Sequence, residues 1–421
     1  MIWKPGSADE VPGLSFGTNA FGTIAEAIAN VDAGGTIFIA GGTYLEGAVL
    51  NIDKNLTLQG DGADATFLSG GSNGNNGPDA GEHRVLDISS ASARVVINDL
   101  AIIDGQGNVT GGSSVTNNEG GGIRNLGILT VNRCVIARNV VALGGGIFNS
   151  GTLTLNDSEL SSNRGSGLAN DGTATINRSR FVNNFNFNAG GGIDNFSGSQ
   201  MTINDSLISE NTADRGAGAN NGPDASMVLN NTEIRENSAT KGAGICNLGG
   251  TVTLNRCLID ANTSSDEGGA GIYNEIGFVD TTSRLNVFDS VISGNTANRG
   301  NSTAFATGGG ILNDQIARIE RSEITGNQAR YGGGIHNQGS GADLTVLDSN
   351  FDGNSATLGG GALRNDKTAN VENCAFINNR ANGEGGALFN VNYEIPLGGG
   401  SFLVFGADLN LTNCTLSNNT A

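Results

Sequence analysis

Short alternations of branched aliphatic and polar residues recur along most of the chain, separated by clusters of Gly and Asn. Alternation at period two is the signature of a strand with one buried side. In one repeat, Leu129 and Val131 share a side. Continuing that alternation would turn Arg133 inward, yet the apolar positions resume at Cys134 and Ile136, so the phase slips by one residue. A slip of this kind marks a corner, because a one-residue shift sends side chains to the opposite face. Each repeat therefore reads as three short strands and three bends: a glycine-anchored strand, a Leu-x-Val strand and a small-x-Ile strand. The opening differs. Ile24, Ala27, Ile28 and Val31 fall on one helical face ahead of Gly34 and Gly35, which predicts a short capping helix.

Aligning the repeats on Gly-Gly-Gly-Ile-x-Asn gives anchors at Ile123, Ile147, Leu168, Ile193, Ala219, Ile245, Ile272, Ile311, Ile335, Leu363 and Leu388, spaced 21 to 28 residues apart except for one step of 39. Two residues after every anchor stands an Asn, from Asn125 to Asn390, and a second Asn series runs from Asn139 through Asn163 to Asn419. An Asn amide donates and accepts at once and tolerates left-handed backbone, so both series predict stacked corners with amides bonded from one coil to the next. The small position reads Cys134, Ser158, Ser179, Ser206, Thr232, Cys257, Ser290, Ser322, Ser349, Cys374 and Cys414. Interchange with Ser makes these cysteines buried small groups rather than a disulfide framework or metal site, although Cys374 and Cys414 fall close enough for a disulfide on distance alone. Cys246 stands apart and reads as a free thiol. The residue before the small position alternates in sign, as in Arg133, Asp157, Arg178 and Asp205, which favours in-register stacking of parallel coils. Together these patterns predict an all-β, single-stranded right-handed parallel β-helix, with a cap over residues 1–35 and coils over 36–421, regular from about 120.

Composition narrows the picture further. Gly is present 68 times and Pro only 5 times in 421 residues, which suits a repeat array better than several ordinary cores. A net charge of -19 argues against nucleic acid, whose binding leans on basic stripes. No apolar run of about 18 residues is present to span a membrane as a helix, and the opening lacks a signal-peptide core. The final residues, Leu416 to Ala421, stop within a repeat, which leads us to expect a longer multidomain protein.

The opening motifs Thr-Ile-x-x-Ala-Ile (23–28), Gly-Gly-Thr-Ile-Phe-Ile (34–39) and Leu-Thr-Leu-Gln-Gly (56–60) resemble the first coils of the pectin-lyase-like right-handed β-helix superfamily. Gly-Gly-Ala-Leu-Phe-Asn (385–390) and Phe376-x-x-Asn379 resemble the repeats of polymorphic outer membrane proteins. That resemblance implies a secreted or bacterial cell-surface protein of adhesin type, binding carbohydrate or a surface protein. The superfamily also contains polysaccharide lyases, hydrolases and epimerases, so the site must decide.

Catalytic groups should break the repeat in neighbouring coils, and few residues do so. His336 shares its position with Arg124, Phe148, Asp194, Cys246, Tyr273, Leu312, Arg364 and Phe389, which reads as a variable outward site; His83 reads as solvated. The expectation is a noncatalytic scaffold with no cofactor, whose contact face is the aromatic row Phe148, Tyr273, His336 and Phe389. The alternative is a polysaccharide lyase or related enzyme acting on acidic polysaccharide, with a cleft in the insertions between Asp280 and Thr307. Calcium is conceivable at Asp266, Glu267 and Asp280, but no calcium-loop motif is present.

Overall fold

The computed structural model describes residues 20–71, 83–107, 118–277, 281–298, 306–391, 393–398 and 401–421, and of 267 and 393–405 the backbone alone. The described chain divides into two compact units. Unit 1 comprises Met1–Asn186, Gly191–Asp194 and Ser199–Ser206; unit 2 comprises Phe187–Gly190, Asn195–Gly198 and Leu207–Ala421. Each is a stack of right-handed parallel β-helix coils. The predicted helix runs Ile24–Asn30, with Thr23 capping it by accepting from the Glu26 N–H, and it is the one α-helix among the described residues.

Every coil of unit 1 carries the three expected strands. Ile147 pairs in register with Ile123 and Leu168 on the anchor strands, and Leu153 pairs with Leu129 and Ala174 on the long strands. On the short strands, Ile136 pairs with Ile102 and Leu160. Unit 2 repeats the scheme, with Ile272 between Ile245 and Ile311, and Val287 between Leu254 and Ile319. These columns are fully buried. Burying each Leu or Ile stabilises the stack by roughly 1.5–3 kcal/mol. Phe351 and Phe376 stack with centroids 4.7 Å apart, adding an aromatic column.

The corners are held as the sequence indicates. Asn163 Oδ1 accepts from both the backbone and the side chain of Asn139, at 3.0 Å each, while the Asn139 amide also reaches the Ile102 carbonyl at 3.1 Å. In unit 2 the first Asn series is continuous, each amide donating to the next from Asn195 through Asn221, Asn247, Asn274, Asn313, Asn337 and Asn365 to Asn390. The small column also has a hydrogen-bonding role. Ser158 Oγ accepts from the Cys134 N–H at 3.0 Å and donates to the Asn156 carbonyl at 2.7 Å. A thiol fits the same slot, as Cys134 Sγ donates to the Asn132 carbonyl at 3.3 Å. All five cysteines are free, so Cys374 and Cys414 are not joined; burial pushes the Cys134 thiol up to about 12 and the Cys374 thiol up to about 11.

The residue before the small position is left-handed throughout, with φ of 51° at Arg133, 47° at Arg178 and 48° at Arg321. This turns the side chain outward, where Arg133 grips Asp99, Arg178 grips Asp157 and Arg321 grips Asp289 through two bonds each. Glycine is required where the chain enters an anchor strand. Gly332 has φ of 58°, and a Cβ there would sit 2.3 Å from the Ile335 carbonyl oxygen.

Unit 2 departs from the prediction in one respect. Its coils carry a fourth parallel strand between the second Asn series and the glycines, in a seven-stranded sheet: Thr212–Arg215, Ser238–Lys241, Thr263–Gly268, Thr296–Ala297, Gln328–Tyr331, Ser355–Gly359 and Arg380–Ala381. Only one Ala or Ser in each faces inward, so these strands lack the apolar alternation that reveals the others.

Asn262 is fully buried; it accepts two bonds from Asn237 and donates to Ile234 and Asn295. Replacing it by Ala orphans several buried groups at about 1–3 kcal/mol each, so Asn262→Ala should lower the thermal midpoint far more than Arg321→Ala at the exposed corner. Thermal melts of both variants, followed by circular dichroism, check this ordering.

Candidate active site

The anchor strands of unit 2 present two outward columns. One is the residue between anchor and Asn: Cys246, Tyr273, Leu312, His336, Arg364 and Phe389, in register from coil to coil. The other is the residue just after the Asn, which places Glu275, Asp314, Gln338 and Asp366 on successive coils. The fourth strand brings Lys241 and Tyr331 alongside. These side chains pack against one another instead of standing in solvent: Tyr273, Asp314 and Arg364 are each 8% exposed, Glu275 9% and His336 2%.

Two linked clusters result. In the first, Lys241 Nζ lies 2.7 Å from Glu275 Oε1, Cys246 Sγ donates to Glu275 Oε2 at 3.3 Å, and the Tyr273 hydroxyl donates to Asp314 Oδ2 at 2.7 Å. The Lys241 ammonium also lies 5.7 Å from the centre of the Tyr273 ring. Asp314 Oδ1 is buried with no hydrogen-bond partner. Burial raises the Asp314 carboxyl above the ordinary range, partly offset by the Tyr273 hydroxyl and by Gln338. Burial, with Asp314 and Glu275 close by, pushes the Tyr273 phenol far up, so it remains a hydrogen-bond donor. The Cys246 thiol is likewise raised by burial and by Glu275.

In the second cluster Arg364 grips Asp366 through Nε at 2.8 Å and Nη2 at 3.2 Å, and His336 Nε2 lies 3.3 Å from Asp366 Oδ2. The Arg364 guanidinium sits 4.0 Å from the Tyr331 ring centre and 5.7 Å from that of Phe389. Burial works to raise Asp366, but the His336 and Arg364 hydrogen bonds overcome it and hold this carboxyl below the usual value. Burial lowers His336, so the ring is neutral at neutral pH and donates one proton to Asp366. Asp314 and Asp366 stand two coil steps apart, about 9–10 Å at the parallel-strand spacing. Their environments drive them in opposite directions, which is the pattern of an acid and a base.

The expected aromatic contact row is therefore only partly assembled. Tyr273, His336 and Phe389 share one column of unit 2, where Tyr273 and His336 are buried partners of carboxylates and only Phe389 is half-exposed. Phe148 lies in unit 1, buried between Arg124 and Ala169. The outward side of the sheet was read correctly, but Lys241 and Tyr331 of the fourth strand flank it. His83 is half-buried, with Nδ1 2.8 Å from the Arg84 carbonyl. Asp280, and the insertion at 299–305, lie outside the described residues; Asp266 lies on a fourth strand. Among the described residues, no three His, Cys, Asp or Glu side chains converge as a metal site. The carboxylates Glu275, Asp314 and Asp366 were missed by reading only the anchor column, although the next column in the sequence displays them.

No protein-family model and no curated protein matches this sequence. Among solved structures the chain is similar to the catalytic domain of a GH87 alpha-1,3-glucanase variant in complex with tetrasaccharides (14% identity, TM-score 0.35, covering 95% of this chain and 64% of that one). It is also similar to the catalytic unit of a thermostable GH87 alpha-1,3-glucanase from Streptomyces thermodiastaticus (16% identity, TM-score 0.35, 94% and 66%). This chain thus spans about two thirds of the length of those it matches. The noncatalytic adhesin-type scaffold expected from the sequence is corrected, because the polar cluster whose absence motivated that reading is present in unit 2.

The two carboxyls make opposite predictions for stability. A raised carboxyl loses its contribution as pH rises through its folded value, whereas a lowered one contributes above the ordinary carboxylate value and loses this on acidification. At neutral pH Asp314→Asn should raise the thermal midpoint and Asp366→Asn should lower it, with both differences shrinking as the pH falls. Melting curves across the acidic range check the sign of each.

Proposed function

We propose that the anchor face of unit 2 is the active site of a carbohydrate-active enzyme that hydrolyses polysaccharide, with Asp314 as general acid and Asp366 as general base. The observation that carries this reading is two carboxyls in one column two coil steps apart, Asp314 buried and bonded by the Tyr273 phenol and Asp366 clasped by Arg364 and His336. Asp314, raised by burial, keeps its proton for the glycosidic oxygen. Asp366, held ionised and oriented by His336 and Arg364, takes a proton from a water that attacks the anomeric carbon as the bond to the leaving sugar breaks. Backbone positions about 9–10 Å apart leave room for that water and suit the roughly 6.5–9.5 Å carboxyl separation of inverting glycosidases better than the roughly 5 Å of retaining ones. Glu275 is already bound by Lys241 and Cys246 and so is not assigned a proton-transfer role. The likeness of 385–390 to polymorphic outer membrane protein repeats fits action outside the cytoplasm, where polysaccharides lie.

Screening the protein against alpha-1,3-glucan, pectate and alginate should yield new reducing ends from one of them, without unsaturated products. Asp314→Asn and Asp366→Asn should each lower the rate by about 10²–10⁴-fold, the usual contribution of acid–base catalysis. The newly released anomer, followed by proton NMR, should be inverted. Unsaturated ends, or full activity in both variants, would overturn the assignment.

A further inference from the structure

Asn-Gly occurs twice among the described residues, at Asn221-Gly222 and Asn382-Gly383, and the surroundings of the two pairs differ. The dipeptide carries its own reaction, because the asparagine amide is an electrophile beside a backbone nitrogen that no side chain shields. Asparagine counts among the thermolabile residues for this reason.

At Asn221 both reacting groups are held. Its side chain is fully buried, donating to Asn247 Oδ1 and accepting from Asn195 Nδ2 at 2.9 Å each. The Gly222 N–H, which would be the nucleophile, donates to the Asn195 carbonyl at 2.8 Å.

Asn382 stands at the end of a fourth strand, one residue beyond Ala381, which pairs with Ala356. Both Asn382 and Gly383 are exposed. The chain is pinned on either side, with the Asn382 N–H donating to the Ala356 carbonyl at 3.1 Å and the Glu384 N–H to the Leu358 carbonyl at 2.8 Å. Between these bonds, the Gly383 N–H and the Asn382 side-chain amide have no hydrogen-bond partner among the described residues. A Cβ on Gly383 would lie 2.1 Å from the Leu358 carbonyl oxygen, so the close approach of the two coils keeps a glycine here.

We infer that Asn382 is a site of spontaneous deamidation and isoaspartate formation, and that the fold protects Asn221 from the same reaction. The Gly383 nitrogen, giving its proton to hydroxide, attacks Asn382 Cγ. The new N–Cγ bond closes a succinimide ring as the Cγ–Nδ2 bond breaks and ammonia leaves with a proton from water. Water then opens the ring at either carbonyl, yielding aspartate or isoaspartate. Ammonia is thus exchanged for water, with no oxidant or cofactor. The isoaspartyl product adds a backbone carbon and a negative charge where Glu384 pairs with Gly359 and the chain turns through Gly385 toward the strand Leu388–Asn390. That strand carries Phe389, whose ring centre lies 5.7 Å from the Arg364 guanidinium. The added carbon loosens the coil that bears Phe389.

Ageing the whole folded chain at mildly alkaline pH, with peptide mapping by mass spectrometry and labelling by an isoaspartyl methyltransferase, tests this. The Asn382 peptide should convert at least tenfold faster than the Asn221 peptide, and in urea the two rates should converge. Asn382→Ser should abolish the label in its peptide, and after ageing it should melt at a higher temperature than the aged parent. Peptides holding Asn73-Gly74 and Asn76-Gly77, which lie outside the described residues, are resolved separately in the map. Equal conversion of Asn382 and Asn221 in the folded chain, or a tenfold ratio that persists in urea, would overturn the assignment. Equal midpoints of the two aged proteins would overturn the loosening of the coil.

Discussion

The register between successive coils rests on asparagine amides that give and receive along one line. A parallel coil stack has no turn to fix its pairing, and hydrophobic columns alone tolerate sliding by two residues. The amide column does not. Each buried amide satisfies backbone groups of its own coil and of its neighbour, so a slipped coil would leave donors and acceptors unpaired in an apolar interior. The paired Arg and Asp at left-handed corners reinforce the same register from outside, at lower energy because they are solvated. Once these interior columns are fixed, outward positions are free to differ from coil to coil, and the chemistry of unit 2 occupies that freedom.

The chemistry depends on what surrounds each carboxyl rather than on the fold. Asp314 and Asp366 occupy equivalent places, yet one faces a phenol and a buried carboxylate while the other is clasped by a guanidinium and an imidazole. The fourth strand matters as much as the anchor strand, because it contributes Lys241 to the first environment and Tyr331 to the second. A three-stranded coil would offer the same carboxylates to open water, and their properties would converge.

The fold was readable because its determinants repeat. Leu129, Val131 and Ile136 declare strands and corners, and Asn139 over Asn163 declares the stack, bonded at 3.0 Å as expected. The site was less readable for two physical reasons. Strands such as Thr212–Arg215 bury a single Ala, so periodicity is silent about them, and without them the position of His336 looks exposed. Glu275, Asp314 and Asp366 stand one residue beyond the anchor motif, where Leu126, Ser150 and Val391 occur in other coils, so no motif draws attention to them. Comparing that column coil by coil would have exposed the acids. Their contrasting proton affinities would still have required the partners on other strands.

Stacking by whole coils also makes distance along the column discrete. Backbone positions in one column of this face are separated by one step of about 4.8 Å or by two, but by nothing between, and side chains reach out from those fixed points. The two permitted values fall near the two carboxyl separations on which glycoside hydrolysis divides by stereochemical outcome. The Ile335 coil, with Gln338 between the carboxylates, thus acts as a spacer of fixed thickness. Losing or gaining one such unit would switch the attainable geometry in a single event, a path to new stereochemistry that a scaffold with continuously adjustable loops does not possess.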